Sequence, residues 1–466
     1  MKIDNLWLKY TEEDVTKVQE VCDRYKQCLD DGKTERECVA QVIEMARQKG
    51  YRELHSVIKE GGTPKAGDKL YAVQMDKSIV LFQMGKKPVS EGMNILGAHI
   101  DSPRIDIKQR PLYETEGFAY LDTHYYGGIK KYQWTTIPLA LHGVVAKKDG
   151  TVVKISIGEK DDEPVFVITD LLIHLAGEQM AKKADAVIAG EKLDLLIGNR
   201  PLQQSEELDK EEKEAVRANI LRLLSETYGI EEEDFLSADL EIVPAGRARD
   251  LGVDRSMILA YGHDDRVCAF TSVFAMLDLA DEITEHTLCC LLVDKEEIGN
   301  VGATGMASQF FENTIAELVA ATERDSQLLV RRALASSKML SSDVSAGFDP
   351  LYADVYEKKN SAFLAKGLAF NKYTGSRGKR GSSEATAEFV AQIRRIMEDA
   401  DVMYQFSELG KVDAGGGGTI AHLMAEYGMN VIDSGVSVLN MHAPYEVVSK
   451  ADVYEAVRGY RAFLRA

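Results

Sequence analysis

The sequence predicts an α/β fold: a mostly parallel mixed sheet flanked by helices, with a β-rich domain inserted into it. Three observations carry this. Apolar, strand-like runs alternate with stretches of helical length at both ends of the chain, the pattern of a sheet covered by helices on both faces. Between about residues 118 and 244 that rhythm gives way to alternating apolar and polar residues, as in TVVKISIG, which marks half-buried strands. At 466 residues the chain also exceeds one ordinary core, so two domains are expected. Their boundaries read as 1–110 and 251–466 for the α/β domain and 111–250 for the insertion.

Taken in order, residues 11–30 and 35–50 carry helical spacing, with Thr11 as an N-cap ahead of Glu12, Glu13 and Asp14. LYAVQM and SIVLFQM, separated by Asp76 and Lys77, form a hairpin. Residues 93–96 are a buried strand that delivers His99 and Asp101 at its end. In the insertion GVVAKK, TVVKISIG and EPVFVIT read as strands, with Asp149-Gly150 as a two-residue hairpin turn. Residues 170–183 and 208–228 read there as helices. The α/β rhythm then resumes with SMILAYGHDD, a strand into Asp264, and a helix over 266–281. Strands at 289–294, 338–343 and 430–433 follow, with helices at 308–321, 382–398, 419–427 and 451–464.

Charge excludes several function classes. With 56 Lys and Arg against 75 Asp and Glu, the formal charge is −19, which argues against nucleic acid and anionic membrane as partners. No apolar run reaches the length of a membrane span, and MKIDNLWLKYTEED has no signal-peptide core. The cysteines, Cys22, Cys28, Cys38, Cys268, Cys289 and Cys290, form no CxxC pair, so reduced thiols in a cytoplasmic protein are expected.

The chemistry centres on LLVDKEEIGNVGATG, residues 291–305. An apolar run ends in Asp294, Lys295, Glu296 and Glu297, at the strand end where open α/β folds bind ligands. If the segment stays extended, the two glutamates point to opposite sides, one toward a metal and the other toward the attacking water. An isolated Glu-Glu pair reads more readily as a solvated turn; its company elsewhere changes that. His99 in GAHIDSP, Asp264 in GHDDR, Glu297, Asp343 in SSDVSAG and His442 in NMHAPYE each stand at a strand end or loop. Histidine and carboxylate without thiolate suit zinc, with cobalt or manganese as alternatives. Five ligands exceed the three usual at one catalytic zinc and fit two ions about 3.5–4 Å apart that share a carboxylate. Asp101 is spaced to orient the His99 imidazole. Alone, either histidine is more often a core or surface residue, and either aspartate a helix cap. The constellation is far more specific than its parts.

In chain order, H-x-D, G-x-D-D-R, D-x-E-E-x-G, S-x-D and a late M-H resemble the co-catalytic metallo-aminopeptidases of the M18 family, the family of aspartyl aminopeptidase. The resemblance covers essentially the whole chain and extends to GGGGTI at 415–420; the M42, M28 and M20 peptidases share much of the logic. It implies a zinc-peptidase-like fold whose insertion mediates dimer contacts. It implies two divalent ions per subunit, with Asp264 bridging, His99 and Asp343 on one ion, and Glu297 and His442 on the other. Glu296 would be the general base and later the acid toward the leaving amine, with Asp101 supporting His99. Peptides would be the substrates, and a tetrahedral homododecamer built from dimers the assembly. A non-peptide amide hydrolase or a carboxypeptidase on the same site is the alternative; a non-catalytic assembly protein would have lost ligands, and none is lost.

Specificity is where the chain departs from the family's namesake. There a histidine in a P-H-L-x-I-H-L context reads an acidic side chain; here the run is TDLLIHL, 169–175, with Asp170 in that place. Asp170 reads equally as the cap of the 170–183 helix. The family's other basic residue has two candidates, Lys366 and Lys372, in or near the basic, Gly-rich stretch 371–382, itself either a loop bordering the site or a solvated one. A carboxylate facing a substrate carboxylate is repulsive, so neutral or basic N-terminal residues are expected to be preferred. Gly415 to Gly418 read either as a backbone cradle for substrate or as a turn into the next helix.

Overall fold

The computed structural model describes residues 5–203, 214–375 and 378–466. The start of the expected 208–228 helix and residues 376–377 of the basic stretch lie outside these. By contacts the chain divides into two compact units: Met1–Ser102, Ala248–Met441 and Glu446–Ala466 in one, Pro103–Arg247 and His442–Tyr445 in the other.

The first unit is built on a nine-stranded mixed sheet. Its centre is four parallel strands in the spatial order Thr287–Val293, Met93–His99, Lys338–Ser342 and Asn430–Gly435. Antiparallel neighbours flank them, Ser78–Gln83 on one side and Leu368–Asn371 on the other. The central strands bury both faces, and their alternation divides two cores. Leu96, Cys290, Leu340 and Ile432 pack with helices Glu12–Asp31, His263–Asp278 and Lys450–Arg465. Ile95, Leu291, Met339 and Val431 pack with Phe310–Thr322 and Gln327–Ser336 on the opposite face. That is why apolar residues stand at consecutive positions in these runs rather than alternating with polar ones. A smaller sheet in the same unit pairs Met257–Ala260 antiparallel to Glu446–Ser449.

Most expected elements form where their end signals are strong. Thr11 caps Glu12–Asp31 in a full capping box with Asp14, and Thr34 does the same with Glu37 for Glu35–Gln48. The hairpin Lys69–Gln74 to Ser78–Gln83 closes where expected. Other elements differ. The 382–398 helix begins only at Ala387, because Thr386 is the residue whose side chain accepts the Phe389 N–H. The 419–427 helix shrinks to Ala421–Ala425. Sequence reading missed Gln327–Ser336, capped by Ser326, and the short strands Leu368–Asn371, Tyr404–Phe406 and Ser437–Leu439.

The second unit is a six-stranded antiparallel sheet in the order Val152–Ile157, Leu139–Ala146, Ala238–Pro244, Arg104–Thr115, Phe118–Tyr126, Leu195–Gly198. Its first two strands are the hairpin turned at Asp149-Gly150, as expected. EPVFVIT does not make a full strand; Phe166 and Val167 form only isolated bridges, to Leu139 and Leu196. Nor is 170–183 one helix. It holds a single turn, Ile173–Leu175, and a short helix, Gly177–Met180, and Asp170 accepts from the Leu171 N–H and from Gln179. A helix of that length depends on burying its apolar face, and here Ile173 and Leu175 remain 70% and 69% exposed. Among the described residues, no helix is long and apolar enough to cross a membrane.

Candidate metal centre

Three adjacent parallel strands end side by side and carry the site. Val293 lies opposite His99, and Ser341 opposite Gly97, so the chain leaves all three strands at one edge of the sheet. His99 is the last residue of its strand, Glu296 and Glu297 follow shortly after Val293, and Asp343 follows Ser342 directly. Open α/β sheets collect their ligands at this carboxyl edge. Gly435 on the next strand lets Asp343 come close: a Cβ there would collide with the Asp343 carbonyl. Asp264 arrives from the first turn of His263–Asp278, where its φ of −81° and ψ of 106° are not helical. Neither Asp264 nor Asp343 caps a regular helix.

The glutamate pair does not sit on an extended segment. Lys295 has φ 69° and Glu296–Ile298 is a 3-10 turn, so strand alternation does not separate the two side chains. Asp101 fixes them instead. Its carboxylate accepts the Glu296 N–H at Oδ1 and the Glu297 N–H at Oδ2, each at 3.2 Å. The same Oδ1 lies 3.2 Å from His99 Nδ1, and the Asp101 carbonyl 3.0 Å. With acceptors on that side, Nδ1 carries a proton, and Nε2 faces Asp264 Oδ1 at 3.2 Å. Asp101 therefore orients the imidazole and both glutamates at once.

The ligand atoms of His99, Glu296 and Glu297 lie within 4.8 Å of one another, as do those of His99, Asp264 and Asp343. Burial pushes the Asp343 carboxyl well above the ordinary range, and the neighbouring Asp265 raises it further. Burial by itself would lower the His99 imidazole, but hydrogen bonds to Asp101 and Asp264 outweigh it and hold it well above its usual value. Carboxylates crowded at this spacing in a buried to half-buried place repel when ionised, and a divalent cation among them offsets that repulsion. The donors are all nitrogen and oxygen, which is the set zinc, cobalt and manganese accept. The residues present fit a metal centre.

His442 stands on the loop between Ser437–Leu439 and Glu446–Ser449, with φ 65°. By its contacts it belongs to the second unit, where its Nδ1 hydrogen-bonds the Gly128 carbonyl at 3.0 Å, although both flanking strands belong to the first. Lys366 and Lys372 line a cleft of about 780 Å³ with Lys359, Arg394, Tyr404 and Phe406. Gly417 accepts the Gly375 N–H through its carbonyl at 2.6 Å, tying the glycine run to the segment that follows Leu368–Asn371. Two residues at the site escaped sequence reading: Ser102 and Glu446, whose side chains hydrogen-bond the backbone of Asp264. Both sit inside quoted motifs, HIDSP and MHAPYE, and a charged residue opening the apolar run EVV was the available signal.

The model of aminopeptidase I zinc metalloproteases (M18) matches residues 28–464. The chain belongs to the M18 family. The probable M18 family aminopeptidase 1 of Clostridium acetobutylicum is 55% identical over 460 residues, 99% of this chain and 97% of the relative. The solved structure of aminopeptidase I from that organism superposes with a TM-score of 0.92 at 52% identity, covering 100% of both chains. The M18 aminopeptidase structure from Thermotoga maritima gives 0.93 at 40% identity, over 100% of this chain and 99% of the other. A yeast relative, solved as the mApe1 dodecamer, is 19% identical with a TM-score of 0.75 over 95% of each chain and shares the fold. Membership makes this M18 chain a metallo-aminopeptidase of a zinc-dependent family, with the mixed α/β fold of those structures.

Proposed function

We propose that this M18 chain is a two-ion aminopeptidase that removes neutral or basic N-terminal residues from peptides. The observation that supports the reading is that more nitrogen and oxygen donors gather here than one ion takes, His99 with Asp264 and Asp343 in one group and Glu296 and Glu297 beside His99 in another. His99 and Asp343 would hold one ion, Glu297 and His442 the other, and Asp264 both. Bound ions would supply Lewis-acid chemistry to the scissile carbonyl and the attacking water. Glu296 takes a proton from that water on its carboxylate and returns it to the leaving amine nitrogen. Asp101 keeps Glu296 in reach by gripping its backbone N–H.

The substrate preference rests on Asp170, an exposed carboxylate where the family's namesake has a histidine. A panel of Asp-, Glu-, Leu- and Lys-p-nitroanilides with N-blocked peptides tests activity and preference together. Faster cleavage of Leu or Lys, with no cleavage of blocked peptides, is expected; preference for Asp or Glu would overturn the specificity, and cleavage of blocked peptides the aminopeptidase reading.

The assembly in this reading is a dodecamer in the cytoplasm, built from dimers through the second unit. The exposed Leu172, Ile173 and Leu175 run supports a covering neighbour, and six buried free cysteines suit a reducing compartment. Light scattering should give about 620 kDa for twelve chains of 51.6 kDa. A monomer at neutral pH with metal present would remove this part.

A further inference from the structure

Asp264 is held by its backbone as well as its side chain. Its N–H donates to Glu446 Oε2 at 2.9 Å, and its carbonyl accepts from Ser102 Oγ at 2.7 Å. The two holding side chains are buried, Ser102 at 0% and Glu446 at 1% exposure. They come from opposite directions in the chain. Ser102 is three residues beyond the His99 strand, and Glu446 opens the strand that lies antiparallel to Met257–Ala260 with Ala260 directly opposite.

The segment needs such holding. Asp264 and Asp265 both have non-helical φ/ψ inside the run His263–Asp278, so the peptide groups around Asp264 fall outside a regular helical ladder. Buried backbone groups in that position must find other partners. Gly262, with φ 76°, turns the chain between Ala260 and Asp264; a Cβ there would run into the Arg266 guanidinium and come within 3.1 Å of Ser102 Oγ. A side chain at 262 would strain the positive φ and press on both Arg266 and Ser102.

We infer that Ser102 and Glu446 are positioning residues for the Asp264 carboxylate, fixing the peptide on either side of it so that its oxygens stay where they can be shared. The inference rests on the reading of Asp264 as the ligand common to both ions. It has a consequence that a merely stabilising role lacks: loss of either hydrogen bond weakens both ions together, whereas loss of a ligand to one ion weakens that one first. The Glu446 contribution lies in its acceptor oxygen, which glutamine retains. Partners of this kind typically change metal affinity about 10–100-fold.

The test is zinc binding to the full-length chain, stripped and titrated with zinc against a chromogenic chelator. Ser102→Ala and Glu446→Ala should each weaken both zinc equivalents about 10–100-fold. Glu446→Gln should stay within roughly threefold of the parent, since its side-chain carbonyl still accepts the Asp264 N–H. Should Glu446→Ala fail to fold, Ser102→Ala, which removes one oxygen, carries the test alone. Unchanged zinc affinity in the alanine variants, weakening of one equivalent only, or a glutamine variant as impaired as the alanine overturns the inference. Asp264→Ala is the control. If it keeps both equivalents, or if the parent chain binds fewer than two, the shared-ligand reading falls and takes this inference with it.

Discussion

The Tyr25 hydroxyl and His263 Nδ1 lie 2.7 Å apart, joining the first long helix to the residue before Asp264. His263 Nε2 faces the Ile258 carbonyl at 3.3 Å and so carries the proton, which makes Nδ1 the acceptor and Tyr25 the donor. Burial depresses the imidazole to about 3, so it remains neutral at working pH. Tyr25→Phe leaves a buried acceptor unpaired and should lower stability by about 1–3 kcal/mol. Denaturant unfolding with an unchanged midpoint would contradict the donor assignment.

Glu296→Gln should keep the fold and the metal content and lose about 10²–10⁴-fold in kcat. The amide occupies the same space on the same 3-10 turn, held by the same backbone bond to Asp101, but takes up no proton. Near-normal turnover would remove Glu296 from the proton transfers.

Asp101→Ala should be costlier than a change at one ligand. It releases the His99 imidazole and removes both acceptors for the Glu296 and Glu297 N–H groups. Metal affinity should fall by about 10–100-fold or more, with kcat falling as well, because ligand orientation and the base are disturbed together. Metal analysis by mass spectrometry, alongside kinetics, checks this; loss of activity with full metal affinity would show that Asp101 acts on the base alone.

Asp433 offers a pH signature away from the ligands. Burial pushes its carboxyl up to about 6, against the hydroxyl donors Thr419 and Ser341. The folded chain therefore holds this proton more tightly than the unfolded one. Its contribution is most favourable below about pH 4 and is lost as pH rises toward 6, by roughly 3 kcal/mol at most. Asp433→Asn keeps a carbonyl acceptor and does not titrate. From pH 4 to 6 the parent should lose stability relative to this variant in urea titrations; a constant difference would show the carboxyl is not raised.

The positions of the candidate ligands were legible in the sequence because each follows an apolar run with a recognisable end. Both faces of the central strands are buried, so ILGA and LCCLLV run apolar without alternation and announce where His99 and the glutamates emerge. Helix starts were equally plain wherever a threonine cap met an acidic third position, as at Thr11 and Thr34. Where the pattern was short or lacked a partner to bury against, reading failed: 170–183 has helical spacing but forms only a single turn and a four-residue helix, and Leu368–Asn371 was too brief to register.

Tertiary structure alone decided how the candidate ligands are held. Sequence spacing suggested that strand alternation would separate Glu296 from Glu297, but Lys295 turns the chain and Asp101, 195 residues away in sequence from Glu296, sets their backbone instead. The same holds for Ser102 and Glu446 on Asp264, 162 and 182 residues distant. Local sequence fixes which side chains stand at a strand's end, because burial and capping act over a few residues. Hydrogen bonds between segments so far apart depend on which strands become neighbours and in what register, and that emerges only when the whole sheet has formed.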